Sequence, residues 1–105
     1  MRRKENERPE WLSRDNRYKL LVPVDYKVGE TTEKVTELQL RRLTGVELLI
    51  LDGTGSFSDK LMQIIQGMTD LPRVVVARFD AVDLDRLDDI FGYFREPGSV
   101  TGAIS

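Results

Sequence analysis

Asp80, Asp83, Asp85, Asp88 and Asp89 crowd the back of the chain, and clustered carboxylates are the groups that hold cations or share acid and base roles. Their spacing argues against both. An EF-hand loop needs a glycine near its middle and a glutamate at its end, and neither is present. On a helix Asp85 and Asp88 or Asp89 share a face, which reads as a hydrated face opposite an apolar stripe. Gly53-Thr54-Gly55-Ser56 precedes a helical pattern, as a phosphate-cradling turn does. It lacks the lysine and the spacing of a P-loop and follows a helix instead of a strand, so it reads as an interhelical turn. The chain has no histidine and no cysteine. That excludes thiol nucleophiles, imidazole bases, zinc sites built on Cys or His, and a disulfide framework. An enzyme would need carboxylates alone, and one helix face supports no paired-carboxylate pocket. These residues point to a protein-binding module without cofactor or metal, not to an enzyme.

Charge is the other chemistry on offer. The net charge of −2 hides an asymmetry, with Arg2, Arg3, Lys4, Arg8, Arg14 and Arg17 at the front of the chain. A basic arm of this kind would suit a nucleic-acid-binding regulator, which is the rival reading. Glu5, Glu7, Glu10 and Asp15 dilute the field, and phosphate binding needs several uncompensated cations together. The front therefore reads as a solvated leader, not a nucleic-acid site. No apolar run approaches the roughly 20 residues that span a bilayer, and no apolar segment follows the first basic residues, so neither a membrane anchor nor a signal peptide is expected. The lack of cysteine suits a reducing cytoplasm.

The elements that must position these groups follow from periodicity. Residues 1–17 read as a flexible basic leader, in which Trp11 and Leu12 either dock on the body or await a partner. Residues 18–95 read as one α+β domain, and residues 96–105 as a flexible tail. An N-terminal antiparallel β-hairpin over 18–42 is predicted to pack on three to four short α-helices over 44–95. In the first strand Leu20, Val22, Val24 and Tyr26 share one face at period two, and Pro23 suggests an edge. The polar stretch 27–34, with Gly29, suits a connection longer than a two-residue turn. The second strand over 35–41 sets Leu38 and Leu40 against Glu37, Gln39 and Arg41. Such a hairpin is marginal alone and must rest on helices.

Thr44 and Glu47 have capping-box spacing. The helix after them, with Val46, Leu48, Leu49, Ile50 and Leu51, is apolar nearly all round, which predicts burial. Ser56 caps the next helix, whose apolar positions are Phe57, Leu61, Ile64, Ile65 and Met68. Pro72 restarts the chain, and Val74-Val75-Val76 reads as a short helix, with a strand as the alternative. Asp80 caps the last helix, with Asp83 in its first turn where negative charge meets the dipole. Leu84, Leu87, Phe91 and Phe94 form a stripe along it. The stripe is core in the first instance, but a surplus beyond what a thin helical layer covers would make Leu87, Phe91 and Phe94 the candidate partner-binding residues.

In this order of elements, residues 35–94 resemble the phage tail assembly chaperone family of Mu-like contractile-tailed phages and prophages. The resemblance starts at Val35-Thr36-Glu37-Leu38-Gln39-Leu40-Arg41-Arg42, similar to a family strand ending in Glu-Leu-x-Leu-Arg, and runs through the helix containing Glu47 and Leu48. It is strongest at Ile65-Gln66-Gly67-Met68-Thr69-Asp70-Leu71-Pro72 and Phe79-Asp80-Ala81-Val82-Asp83-Leu84. Leu43 stands where the family commonly has proline, and Asp70 where it commonly has glycine. The resemblance implies an assembly factor of the host bacterial cytoplasm that coats the helical tape-measure protein until the tail tube polymerises around it. It also implies the tail-tube protein as a further partner, a possible homo-oligomer, and a longer form made by ribosomal frameshifting.

Overall fold

The computed structural model describes residues 7–96. The basic run Arg2-Arg3-Lys4 and the tail expected beyond Glu96 lie outside the described residues. Two strands, β1 (Arg17–Val28) and β2 (Thr31–Gln39), precede four helices, α1 (Gly45–Asp52), α2 (Phe57–Thr69), α3 (Arg73–Val76) and α4 (Ala81–Phe94). The strands form one antiparallel hairpin, α4 packs on β1, and α2 packs on β2. This is the α+β arrangement that the periodicity predicts.

The hairpin departs from simple alternation in two places. Its turn is the two residues Gly29-Glu30, not a longer connection. Gly29 has φ of 64°, the positive value that a tight hairpin turn needs at its first central position and that glycine takes without strain. Further along, Lys19 pairs with Glu37 but Val24 pairs with Val35, so residues 20–23 of β1 oppose Thr36 alone. Pro23, which has no N–H to give a ladder, sits in this bulge. The bulge breaks period two: Tyr18, Leu20 and Val24 are buried, while Val22 is turned outward instead of joining them.

Asp83 holds the bulge in place. Its carboxylate is fully buried and accepts hydrogen bonds from the Tyr18 hydroxyl, from Leu21 N at 2.8 Å and from Val22 N at 3.2 Å. The N–H groups that β2 cannot satisfy are thus satisfied from α4. Burial, and then the bond to Asp83, push the Tyr18 phenol well above its ordinary range. Asp83 was expected only to complement a helix dipole; it also ties the sheet to α4.

Residues 7–16 settle the alternatives left for Trp11 and Leu12. Leu12 is buried and bridges to Tyr18, and the Arg86 guanidinium lies 4.8 Å from the centre of the Trp11 ring. Both side chains dock on the body. The core joins Leu12 and the inner face of the hairpin to Leu61, Ile64 and Ile65 of α2, Val75 and Val76 of α3, and the α4 stripe. Asp70, at the end of α2, has φ of 60°, the left-handed cap conformation that glycine favours and aspartate tolerates.

Candidate partner-binding surface

Leu87, Phe91 and Phe94 are brought together on one face of α4, but that face is core. They are 0%, 4% and 3% exposed, with Ile90 and Tyr93 buried beside them. Leu84, at the start of the stripe, is half-buried, and the three candidate side chains pack in the core of the fold. The thin layer covers its aromatic residues because the hairpin, α2 and the docked segment around Leu12 all contribute to the same core.

Exposed large apolar side chains occur on β1 (Leu21, Val22 and Val28), α3 (Val74) and α4 (Val82), and three lie close together in sequence on α1. Val46, Leu48 and Leu49 are 63%, 46% and 75% exposed, and Phe57 at the start of α2 is 59% exposed. The only buried residue of α1 is Glu47. Ile50 and Leu51 are half-buried against the core beside it, while Val46, Leu48 and Leu49 face solvent. The prediction that the apolar residues of this helix are buried therefore holds for two of them and fails for three, and the reason is local.

Glu47 is fixed by groups that a helix start makes available. Arg41, three residues before the N-cap Thr44, donates from Nη1 to Oε1 and from Nη2 to Oε2, each at 3.0 Å. Thr44 donates its backbone N–H to Oε1 at 2.6 Å and its hydroxyl to the same oxygen at 2.9 Å. The planar guanidinium matches both carboxylate oxygens, so the pair is directional as well as ionic. The Arg41 guanidinium, with help from Thr44, holds the Glu47 carboxyl down at about 2. Once this acid is the inward anchor, helical geometry turns Val46 and Leu49, three residues apart, away from the body.

The other end of α1 is anchored by a polar contact too. Lys60 of α2 donates its ammonium to Leu51 O at 3.0 Å, placing a cation at the negative end of the helix. Ser56 accepts from Asp59 N at 3.1 Å and starts α2, so Gly53-Thr54-Gly55-Ser56 is an interhelical turn. Asp59 in turn pairs with Arg73 of α3 at 2.7 Å. α1 is thus held by polar contacts at both ends and by Ile50 and Leu51 against the core, and it leaves Val46, Leu48 and Leu49 exposed, an arrangement suited to docking another apolar surface. Among the described residues no group of three or more acids could hold a metal ion, and no helix is long and apolar enough to cross a membrane.

Two of the three arginines in the described part of the basic front, Arg8 and Arg17, are used on the fold. Arg8 donates to Ser13 O, Arg14 O and Asn16 Oδ1 and lies 5.8 Å from the centre of the Tyr93 ring. Arg17 pairs with Asp15 and Glu37, each at 3.1 Å. Nothing in this segment favours phosphate binding. The one signal in the sequence for the α1 surface was Arg41 placed ahead of a capping-box glutamate; the run of apolar residues, taken by itself, pointed the other way.

A family model described as "Phage tail assembly chaperone proteins, E, or 41 or 14" matches residues 17–96. The match begins at the first residue of β1 and ends two residues after α4, and so spans both strands and all four helices. No curated protein and no solved structure matches the chain.

Proposed function

The chain belongs to the phage tail assembly chaperone family, and from that premise we propose that it binds the tape-measure protein through the apolar face of α1 and keeps it soluble until the tail tube polymerises around it. The observation that carries the reading is the outer side of α1: three apolar side chains face solvent while the acid between them is buried. Leaving these groups in water forgoes roughly 1.5–3 kcal/mol for each large side chain that burial would have stabilised. An ion pair that keeps them there makes sense in a protein whose work is to cover another apolar surface.

The expected partner is a long amphipathic helix, met by apolar anchors at spacings of three and four. Val46 and Leu49 supply that spacing on α1, with the exposed Leu48 next to them in the helix. The face is small beside the roughly 800 Å² per partner of a stable interface. Each contact is then weak and displaceable, as a chaperone that yields to tail-tube subunits requires. Tail-tube protein would meet the complex only at that hand-over, and the site of action would be the host bacterial cytoplasm.

Co-expression with a tape-measure protein from the same phage or prophage tests the reading. The wild-type chain should bring the tape measure into the soluble fraction as a complex. A tape-measure protein equally soluble, and unbound, without this chain contradicts the proposal.

A further inference from the structure

We propose that residues 7–16 form a hinged cover, which opens as one unit while the strands and helices stay folded and, when closed, shuts an apolar seat on β1 and α4. The cover is separate from the α1 face and does not depend on it.

The segment is bonded largely to itself. Arg8 donates to Ser13 O and to Asn16 Oδ1, Leu12 N donates to Pro9 O at 3.1 Å, and Asn16 N donates to Ser13 O at 3.0 Å. These bonds need nothing from the helices, so the segment can keep its shape after it leaves them. Its far end is pinned to β2: Asn16 O accepts from Leu40 N at 2.8 Å, and Asp15 O accepts from the Gln39 side chain at 2.7 Å. Asn16 itself has φ of 65°, the left-handed conformation in which asparagine turns a chain locally. That pinned turn is the hinge.

Opposing forces act on the closed state. Pro9 and Leu12 are buried, Leu12 bridges to Tyr18, Arg8 lies over the Tyr93 ring and Arg86 over the Trp11 ring. Burial of these apolar groups favours closure. The Trp11 Nε1–H is buried too, and it has no hydrogen-bond partner among the described residues. A buried donor left unmade disfavours closure, and opening lets water satisfy it. The family match begins at Arg17, directly after the hinge, and includes every strand and helix. The cover is thus an addition to a complete set of elements, the kind of segment that opens locally without global unfolding. Opening bares Pro9, Leu12 and the seat beneath them, an apolar surface of the sort that takes a partner.

Trp11 is the single tryptophan of the chain, so its emission reports the cover, while far-UV ellipticity reports the helices. In urea the Trp11 emission should shift to the red with a midpoint about 1 M or more below the ellipticity midpoint, and with a shallower slope, because opening exposes less surface than unfolding. Between the two midpoints the emission of added ANS should rise as the seat is bared. Coincident transitions overturn the proposal, since they make residues 7–16 part of one cooperative unit; ANS emission that stays flat between separate midpoints overturns it as well. Leu12→Ala distinguishes a cover from an ordinary piece of core. A side chain already released when the helices melt cannot influence their melting, so L12A should lower the emission midpoint and leave the ellipticity midpoint in place. An L12A variant that lowers both midpoints, or neither, overturns the proposal.

Discussion

Two helices of this protein each bury a carboxylate, and they do so with opposite consequences. In α4 the buried Asp83 lies on the same side as Leu87, Ile90, Phe91 and Phe94, so polar and apolar anchoring act together. In α1 the buried Glu47 shares the inward side with the half-buried Ile50 and Leu51, and Val46, Leu48 and Leu49 are left outside. Aromatic content and stripe regularity single out α4, yet they describe its core. The helix with exposed leucines is the one whose inward side combines an ion pair with only two half-buried apolar residues. In this small domain the regular aromatic stripe is the core, and the exposed apolar side chains lie where the pattern is less regular.

The largest effect should come from attacking α4. Phe91→Ala removes a core ring and should cost about 3–5 kcal/mol, read as a lowered midpoint in urea unfolding. A loss below about 1 kcal/mol would place Phe91 outside the core and restore it as a surface candidate. Asp83→Ala is next. It leaves the Tyr18 hydroxyl and two strand N–H groups without their acceptor, for about 2–3 kcal/mol, and should speed amide exchange at Leu21 and Val22. Unchanged exchange at those two residues would show that the bulge does not depend on α4.

Smaller effects are expected at α1, and their order is informative. Arg41→Ala leaves a buried carboxylate with Thr44 as its donor and, because Arg41 is 46% exposed, should cost about 2 kcal/mol, whereas Glu47→Gln loses the charge but keeps a capping acceptor, for about 1 kcal/mol. The reverse order would mean that Glu47 is not held by Arg41. The pH dependence has a definite sign. The Glu47 carboxyl is lowered in the folded state from its ordinary 4.5 to about 2, so its contribution is complete above pH 4.5 and is lost as pH falls towards 2. The stability gap between wild type and E47Q should be widest near neutrality and close across that window. A gap that is constant from pH 7 to pH 2 would remove the ion pair from the account.

Much of the fold was legible in the residues. Thr44 with Glu47, Ser56 and Asp80 marked three helix starts through the oxygens that each cap requires, and the spacing of Leu87, Phe91 and Phe94 placed them on one face. Pro23 signalled an irregular strand, but nothing local shows how many residues a bulge will absorb or that Asp83, some sixty residues later, will satisfy it. The tight turn was missed because the polar stretch around Gly29 suited a longer connection equally well. The candidate surface was missed for a deeper reason. A helix that is apolar nearly all round does not declare which side is inward; Arg41 decides that by reaching Glu47, a contact that exists only once the chain has turned at Thr44.

Leu49→Asp tests the central claim most directly, because the side chain is 75% exposed and the change should alter stability by no more than about 0.5 kcal/mol. The decisive measurement is the soluble fraction of the tape-measure protein co-expressed with this variant, with V28D as the control at the hairpin tip. The account predicts that V28D solubilises the client as wild type does, while L49D, equally folded, leaves it insoluble. A folded L49D that keeps the client soluble would contradict the assignment of α1 as the binding face.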